Sequence, residues 1–180
     1  MGFDRRELQE AGLIRQGMYK WNVAHAEAVH LQGISQRTGD PYDFKIIKAR
    51  LESDTVAEYS DSGELVGEKQ LPFSVSKFHD FNAGRDNRLK TLYKSAYGKL
   101  PEGREVEVKD EEGTPVKDPK TGQVKTIQEI DEELLADELI GASAWNAIYH
   151  APNKETGDLE DRLGYNFREK PPKRNKRKAA

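Results

Sequence analysis

The sequence contains no cysteine, so disulfides and cysteine-based zinc sites are excluded. No apolar run approaches the ~18 residues that a membrane-spanning helix needs. The opening Met1-Gly2-Phe3-Asp4 lacks the apolar stretch of a signal peptide. Hydrophobic residues are scarce overall, 35% of the chain against 34% charged. That is a lean core and a wet surface, so part of the 180 residues must be loop or tail. The phosphate-binding and catalytic signatures GxxxxGK[ST], GxGxxG, HExxH and GxSxG are all missing. The histidines His25, His30, His79 and His150 are scattered, and His79-Asp80 with Asp86 matches no metal-ligand spacing. The expectation is one cytoplasmic domain that binds something without being an enzyme, with no cofactor and no membrane partner.

What the sequence does have is segregated charge. The net charge is only −3, yet Arg168–Ala180 holds seven basic residues and one acid. The rest of the chain therefore carries −9. From Glu105 to Ile140 twelve acids face four bases, whereas Lys77–Arg104 holds seven bases and three acids. Such separation suggests an anionic partner that meets part of the surface only.

Asp4-Arg5-Arg6-Glu7 reads as a capping box opening a short N-terminal helix to Ala11, within a lead segment over 1–16. Tyr19, Trp21 and Val23 alternate with Lys20 and Asn22, predicting a first strand over Gly17–His30. Tyr42, Phe44 and Ile46 alternate likewise in a second strand, Tyr42–Glu52. Its apolar period then slips to Ile47, Ala49 and Leu51, which predicts a β-bulge at Ile46-Ile47. Ser60-Asp61-Ser62-Gly63 is a turn signal before a third strand, Leu65–Val75, where Pro72 marks an edge or a break. Phe78 and Phe81 are expected in a loop beyond it.

Leu89, Leu92, Tyr93 and Ala96 form a helical stripe in Asp86–Tyr97, with Gly98 as C-cap. A hairpin is expected around Asp118-Pro119-Lys120-Thr121-Gly122, then an acidic helix over Ile127–Leu139 with Ile127, Ile130 and Leu134 on one face. Strands over Ala142–His150 and Leu163–Phe167 follow. Pro171-Pro172 ends regular structure before a disordered basic tail, 169–180. The fold class is mainly β (α+β). The order of strands with a helix between the third and fourth is that of an OB-fold, a five-stranded, partly open barrel. An unrelated antiparallel α+β sandwich is the alternative. The domain spans 17–168, with an acidic insertion at about 105–140.

Several segments then stand out together: Gly17-Met18-Tyr19-Lys20-Trp21-Asn22-Val23, Gly39-Asp40-Pro41-Tyr42-Asp43-Phe44-Lys45-Ile46, and Lys77-Phe78-His79-Asp80-Phe81-Asn82. Arg88-Leu89-Lys90-Thr91-Leu92-Tyr93 and Leu139-Ile140-Gly141-Ala142-Ser143-Ala144-Trp145 complete the set. Over roughly Gly17–Phe167 the chain resembles bacteriophage-encoded single-stranded-DNA-binding proteins found among replication and recombination genes. The resemblance implies an OB-fold that coats and protects single strands without sequence specificity. The chain departs from that pattern in ending basic rather than acidic, and in the length and acidity of 105–138.

Single strands are held by base stacking on aromatics beside a basic groove. The candidates are Lys20, Trp21, Tyr42, Phe44, Lys45, Lys48, Arg50, Phe78, Arg85, Arg88, Trp145 and Tyr149, with Lys173, Arg174, Lys176, Arg177 and Lys178 in the tail. Lys20, Lys45, Lys48 and Arg50 are expected on one face of the first two strands. Periodicity alone leaves open whether Trp21 and Phe44 fill the core or face the ligand. The partners expected are single-stranded DNA and replication or recombination proteins, with oligomeric state open and a dimer among the options. The alternative function is a phage accessory protein-interaction module, motivated by the acidic segment.

Overall fold

The computed structural model describes residues 12–82 and 86–173. The predicted N-terminal helix, Arg85 and the basic run from Arg174 onward lie outside these. The long strands are β1 (Gly17–Ile34), β2 (Pro41–Tyr59) and β3 (Leu65–Asn82), each running further than expected. They are followed by α1 (Asn87–Tyr97), a short pair β4 (Arg104–Glu107) and β5 (Thr126–Glu129), and α2 (Glu132–Leu139). The last elements are β6 (Ser143–Pro152) and β7 (Leu159–Leu163). The main sheet is antiparallel, with the order β3-β2-β1-β6-β7, while β4 and β5 pair separately. A return strand beside the first of three hairpin-connected strands is a Greek key. Closure into a barrel is not made: β3 and β7 are the two edges of an open sheet.

Tyr19, Trp21 and Val23 on β1 and Ile47, Ala49 and Leu51 on β2 point to one face and are buried. Leu89, Leu92 and Tyr93 of α1, Leu135, Ala136 and Leu139 of α2, and Phe167 pack with them in one core. Burying each large side chain contributes roughly 1.5–3 kcal/mol. Trp21 suits this core because its indole N–H donates to the Asn146 carbonyl at 3.2 Å, leaving no buried donor unpaired.

The predicted bulge at Ile46-Ile47 is absent, for the β1–β2 register runs unbroken from Ala26 to Ile34. Ile46 and Ile47 point to opposite faces, and both are buried. The irregularities lie elsewhere. Ala24 is extra on β1, and on β2 the two residues Ser53 and Asp54 stand opposite the single Trp21. The Ser53 hydroxyl stabilises the second by donating to the Thr55 carbonyl at 3.0 Å. On β3 the pairing skips Leu71–Ser74, where Pro72 has no N–H to give the ladder. Phe78 and Phe81, expected in a loop, belong to β3, whose Lys77–Asn82 stretch pairs with β2.

The stripe expected on α1 is the buried one. Asp86 caps its start, accepting from the Arg88 N–H at 2.9 Å, and Gly98 ends it at φ 74°. The acidic helix starts later than expected. Residues Thr126–Glu129 form β5, where Ile127 pairs with Val106, and Asp131 caps α2 by accepting from the Glu133 and Leu134 N–H groups. Its buried face is Leu135, Ala136 and Leu139, and Leu134 is exposed. The Tyr93 hydroxyl donates to Glu138 at 2.6 Å and ties α1 to α2; that hydrogen bond, reinforced by burial and the carboxylate's charge, pushes the phenol up to about 12. The last strand is Leu159–Leu163 rather than Leu163–Phe167: Tyr165 is exposed, and Phe167 leaves the ladder to enter the core.

Candidate nucleic-acid interface

The face of the sheet opposite the core is set by the same alternation. On β2, Lys48 and Arg50 are exposed between buried Ile47, Ala49 and Leu51. The register puts Arg50 between His25 of β1 and Phe78 of β3, and Lys48 between Glu27 and Asp80. Phe78 is 74% exposed. One uncovered row thus presents an imidazole, a guanidinium and an aromatic ring on three adjacent strands, roughly 5 Å apart.

Beyond Ile46 the β1–β2 hairpin projects past the rest of the sheet, since β3 pairs only as far as Ile46. Tyr42 and Phe44 sit on this arm, on the same side as Arg50, with ring centroids 5.7 Å apart. Both are about 40% exposed. Tyr42 lies across Gly33, where a Cβ would meet its hydroxyl at 2.6 Å; the glycine is what lets the ring fold over the ribbon. On the arm's other side His30 and Gln32 donate to Asp43, and those hydrogen bonds hold its carboxyl below the usual range.

The remaining candidates part company with this face. Trp21 is wholly buried and offers no ring to a ligand. Lys45 has the parity of Ile47 and pairs with Glu132 of α2 at 3.7 Å, so the expected four-residue basic face loses a member. Arg88 is a tether: its guanidinium donates to the Gly164 and Leu163 carbonyls at 3.1 and 3.3 Å and lies 5.5 Å from the centroid of the Tyr165 ring. Tyr149 is half-exposed at the far end of β6, across from Arg162.

Trp145 does point to the outer side, cross-strand from Lys20, yet only 3% of it is exposed. The C-terminal segment covers it. Arg168 exchanges backbone hydrogen bonds with Trp145 at 2.7 and 2.8 Å, and the Tyr59 hydroxyl donates to the Pro172 carbonyl at 2.8 Å. Lys173 is exposed just beyond.

The face is mixed in charge. Lys20, Lys48 and Arg50 share it with Glu27, Glu52 and Asp80, and Arg50 Nε lies 3.4 Å from Glu52. An exposed pair of this kind is worth about 0–1 kcal/mol, little enough for a phosphate to displace it. Pattern reading missed His25 and the flanking acids because the two irregular pairings decide which residues share a row. It missed the cover over Trp145 because nothing local marks it. Comparison with protein-family models, curated proteins and solved structures finds no match.

Proposed function

We propose that the chain binds single-stranded DNA, without sequence specificity, through an OB-type fold serving replication or recombination. The observation that carries this is the uncovered β2–β3 row of Lys48, Arg50 and Phe78, continued by Tyr42 and Phe44 on the β1–β2 arm. OB-folds receive oligonucleotides on the face of their second and third strands and on the loop joining the first two. The Greek-key order, with α1 between the third and fourth long strands, supports the same fold. So does a bond across the open seam: Lys77 of β3 donates to the Asp161 carbonyl of β7 at 2.6 Å and to its carboxylate. The role is binding, with no catalytic step.

Because the face is mixed in charge, stacking supplies most of the discrimination. Each stacked base contributes about 1–3 kcal/mol, and every phosphate neutralised adds about −0.7 to the log–log salt slope. The test is titration of a fluorescent oligo-dT across salt. The wild-type chain is expected to prefer it to duplex, with affinity falling as salt rises. Phe78→Ala is expected to cost about 1–3 kcal/mol with the slope unchanged. Arg50→Ala is expected to flatten the slope. Equal affinity for duplex, or a flat salt response, overturns the proposal. The exposed acidic β4–β5 hairpin favours a second reading, a docking module for a replication or host protein. Partners that survive nuclease treatment of a pull-down, together with absent oligo-dT binding, would select it.

A further inference from the structure

The last described stretch of the chain crosses the sheet. Arg168 pairs with Trp145 of β6, and Glu169, Lys170 and Pro171 lie along a cleft with Lys20 of β1 and with Leu65 and Glu68 of β3. The Pro172 carbonyl then accepts from the Tyr59 hydroxyl at the end of β2. Lys20 and Trp145 belong to the outer side, the side of Lys48, Arg50 and Phe78. The chain therefore leaves Pro172 on the outer face, beside the β2–β3 turn, whereas α1 and α2 pack on the opposite one. Lys173, Arg174, Lys176, Arg177 and Lys178 follow with no acid among them.

We infer that these five cations form an arm of the single-strand site that grips the phosphates of the strand held at Phe78 and Arg50, an inference that rests on the single-strand reading above. The sheet does not supply this grip alone. On the outer face Lys20, Lys48 and Arg50 are outnumbered by Glu27, Glu52, Glu68 and Asp80, and a carboxylate close to a phosphate repels it. The tail reverses that balance. Reach decides which phosphates it meets. Residues 173–180 extend at most about 28 Å, and Arg50 lies nine residues along β2 from Tyr59, roughly 30 Å. The arm thus spans the ground between its exit and the Arg50–Phe78 row, where Glu52 and Glu68 stand. Anchoring at Tyr59 makes the contact intramolecular once a base is stacked, which raises the effective concentration of the cations. The acids of α2 lie across the sheet, so the point of exit favours a ligand on the outer face over the acidic helix of the same chain.

The test is the salt dependence of oligo-dT binding by the full chain carrying Lys173→Gln, Arg174→Gln, Lys176→Gln, Arg177→Gln and Lys178→Gln together. All five positions follow Pro172, so the Tyr59 bond and the core are kept. The variant is expected to bind more weakly, with its log–log slope lower by about 2–3.5, at about 0.7 for each phosphate given up. Placement is tested separately. The chain has no cysteine, so Ala179→Cys accepts a single nitroxide label. With oligo-dT bound, the label is expected to broaden the amide signals of Glu52 and Ser76, which pair next to the Arg50–Phe78 row, and to leave those of α2 sharp. A glutamine variant that keeps the wild-type slope, or binds oligo-dT more tightly, overturns the arm and leaves the single-strand reading standing. The same slope with a protein partner or self-association lost assigns the tail to docking instead. Broadening that misses the outer face overturns the arm too. Absence of oligo-dT binding by the wild-type chain overturns the reading on which it rests.

Discussion

At the scale of single residues, the join between β7 and the core is the most tightly specified place. Asn146 is buried, and both ends of its amide are in use. Its Nδ2 donates to the Gly164 carbonyl at 3.0 Å and its Oδ1 accepts from the Ala147 N–H at 2.8 Å. A Cβ on Gly164 would run into Oδ1. The side chain it strikes is held at both ends, so the clash cannot be relieved by a rotamer change without leaving a buried amide unpaired. Arg88 reaches the same Gly164 carbonyl from α1, so displacement there also loosens the helix. Gly164→Ala is expected to destabilise the domain by about 1–3 kcal/mol, in the range of overpacked sites. Urea denaturation followed by circular dichroism checks this, and a midpoint equal to that of the wild-type chain would refute it. The contrast is Gly39, where a Cβ meets nothing and only the positive φ opposes substitution.

At the scale of elements, α1 has a stability that responds to pH. Burial alone would raise the pKa of its cap, Asp86. The His79 imidazole 3.7 Å away, the Arg88 N–H and the Arg88 guanidinium together outweigh burial and hold it below its ordinary 3.8. A folded-state pKa below the unfolded one means that the contribution is present above about pH 3.8 and is lost as pH falls through the folded value. Asp86→Ala is therefore expected to cost about 0.5–2 kcal/mol near neutrality. The wild-type and variant stabilities, measured by urea melts at several pH values, should converge in acid; a gap that persists there would refute the account. This helix was legible because its signals are local: a stripe, a cap and a C-terminal glycine within thirteen residues of chain. The sheet was less so. The adjacent Ile46 and Ile47 imitate a slipped period, whereas the true changes of register sit at Ala24 and Ser53-Asp54, small or polar residues that no alternation marks. β5 was read as helix because its partner β4 lies some twenty residues earlier, a pairing that a local window cannot see. Phe78, expected in a loop, is placed on the sheet by its pairing with β2, while of the candidate site Arg50 and Lys48 followed from their own alternation. Lys45, Arg88 and Trp145 did not, because distant segments claim them.

At the scale of the whole molecule, the sheet's hydrogen bonding is open while its edges are joined by side chains. Lys77 on β3 and Asp161 on β7 are mostly buried, and Asp161 also accepts from the Ile14 N–H at 2.9 Å. One carboxylate thus gathers both edges and the segment that leads into β1. Removing the lysine strands a largely buried anion on a single backbone donor. A fully buried pair broken in this way costs about 3–5 kcal/mol, and partial exposure brings the figure here to roughly 1–3 kcal/mol. The loss should be uneven. β1 is paired on both sides, so its amides are held by two neighbours, whereas β3 and β7 each have one. Lys77→Ala is expected to speed hydrogen exchange in β3 and β7 while β1 keeps its protection. It is also expected to weaken oligo-dT binding although Lys77 lies on the core side of β3, because the relative tilt of β2 and β3 sets the spacing of Arg50 and Phe78. Lys77→Met keeps the aliphatic stem and loses the charge, so it separates packing from ion pairing. Faster exchange in Lys77→Ala but not in Lys77→Met would assign the seam to packing. Equal effects in both assign it to the bond with Asp161, and exchange that rises equally in β1 would refute the role of the seam altogether.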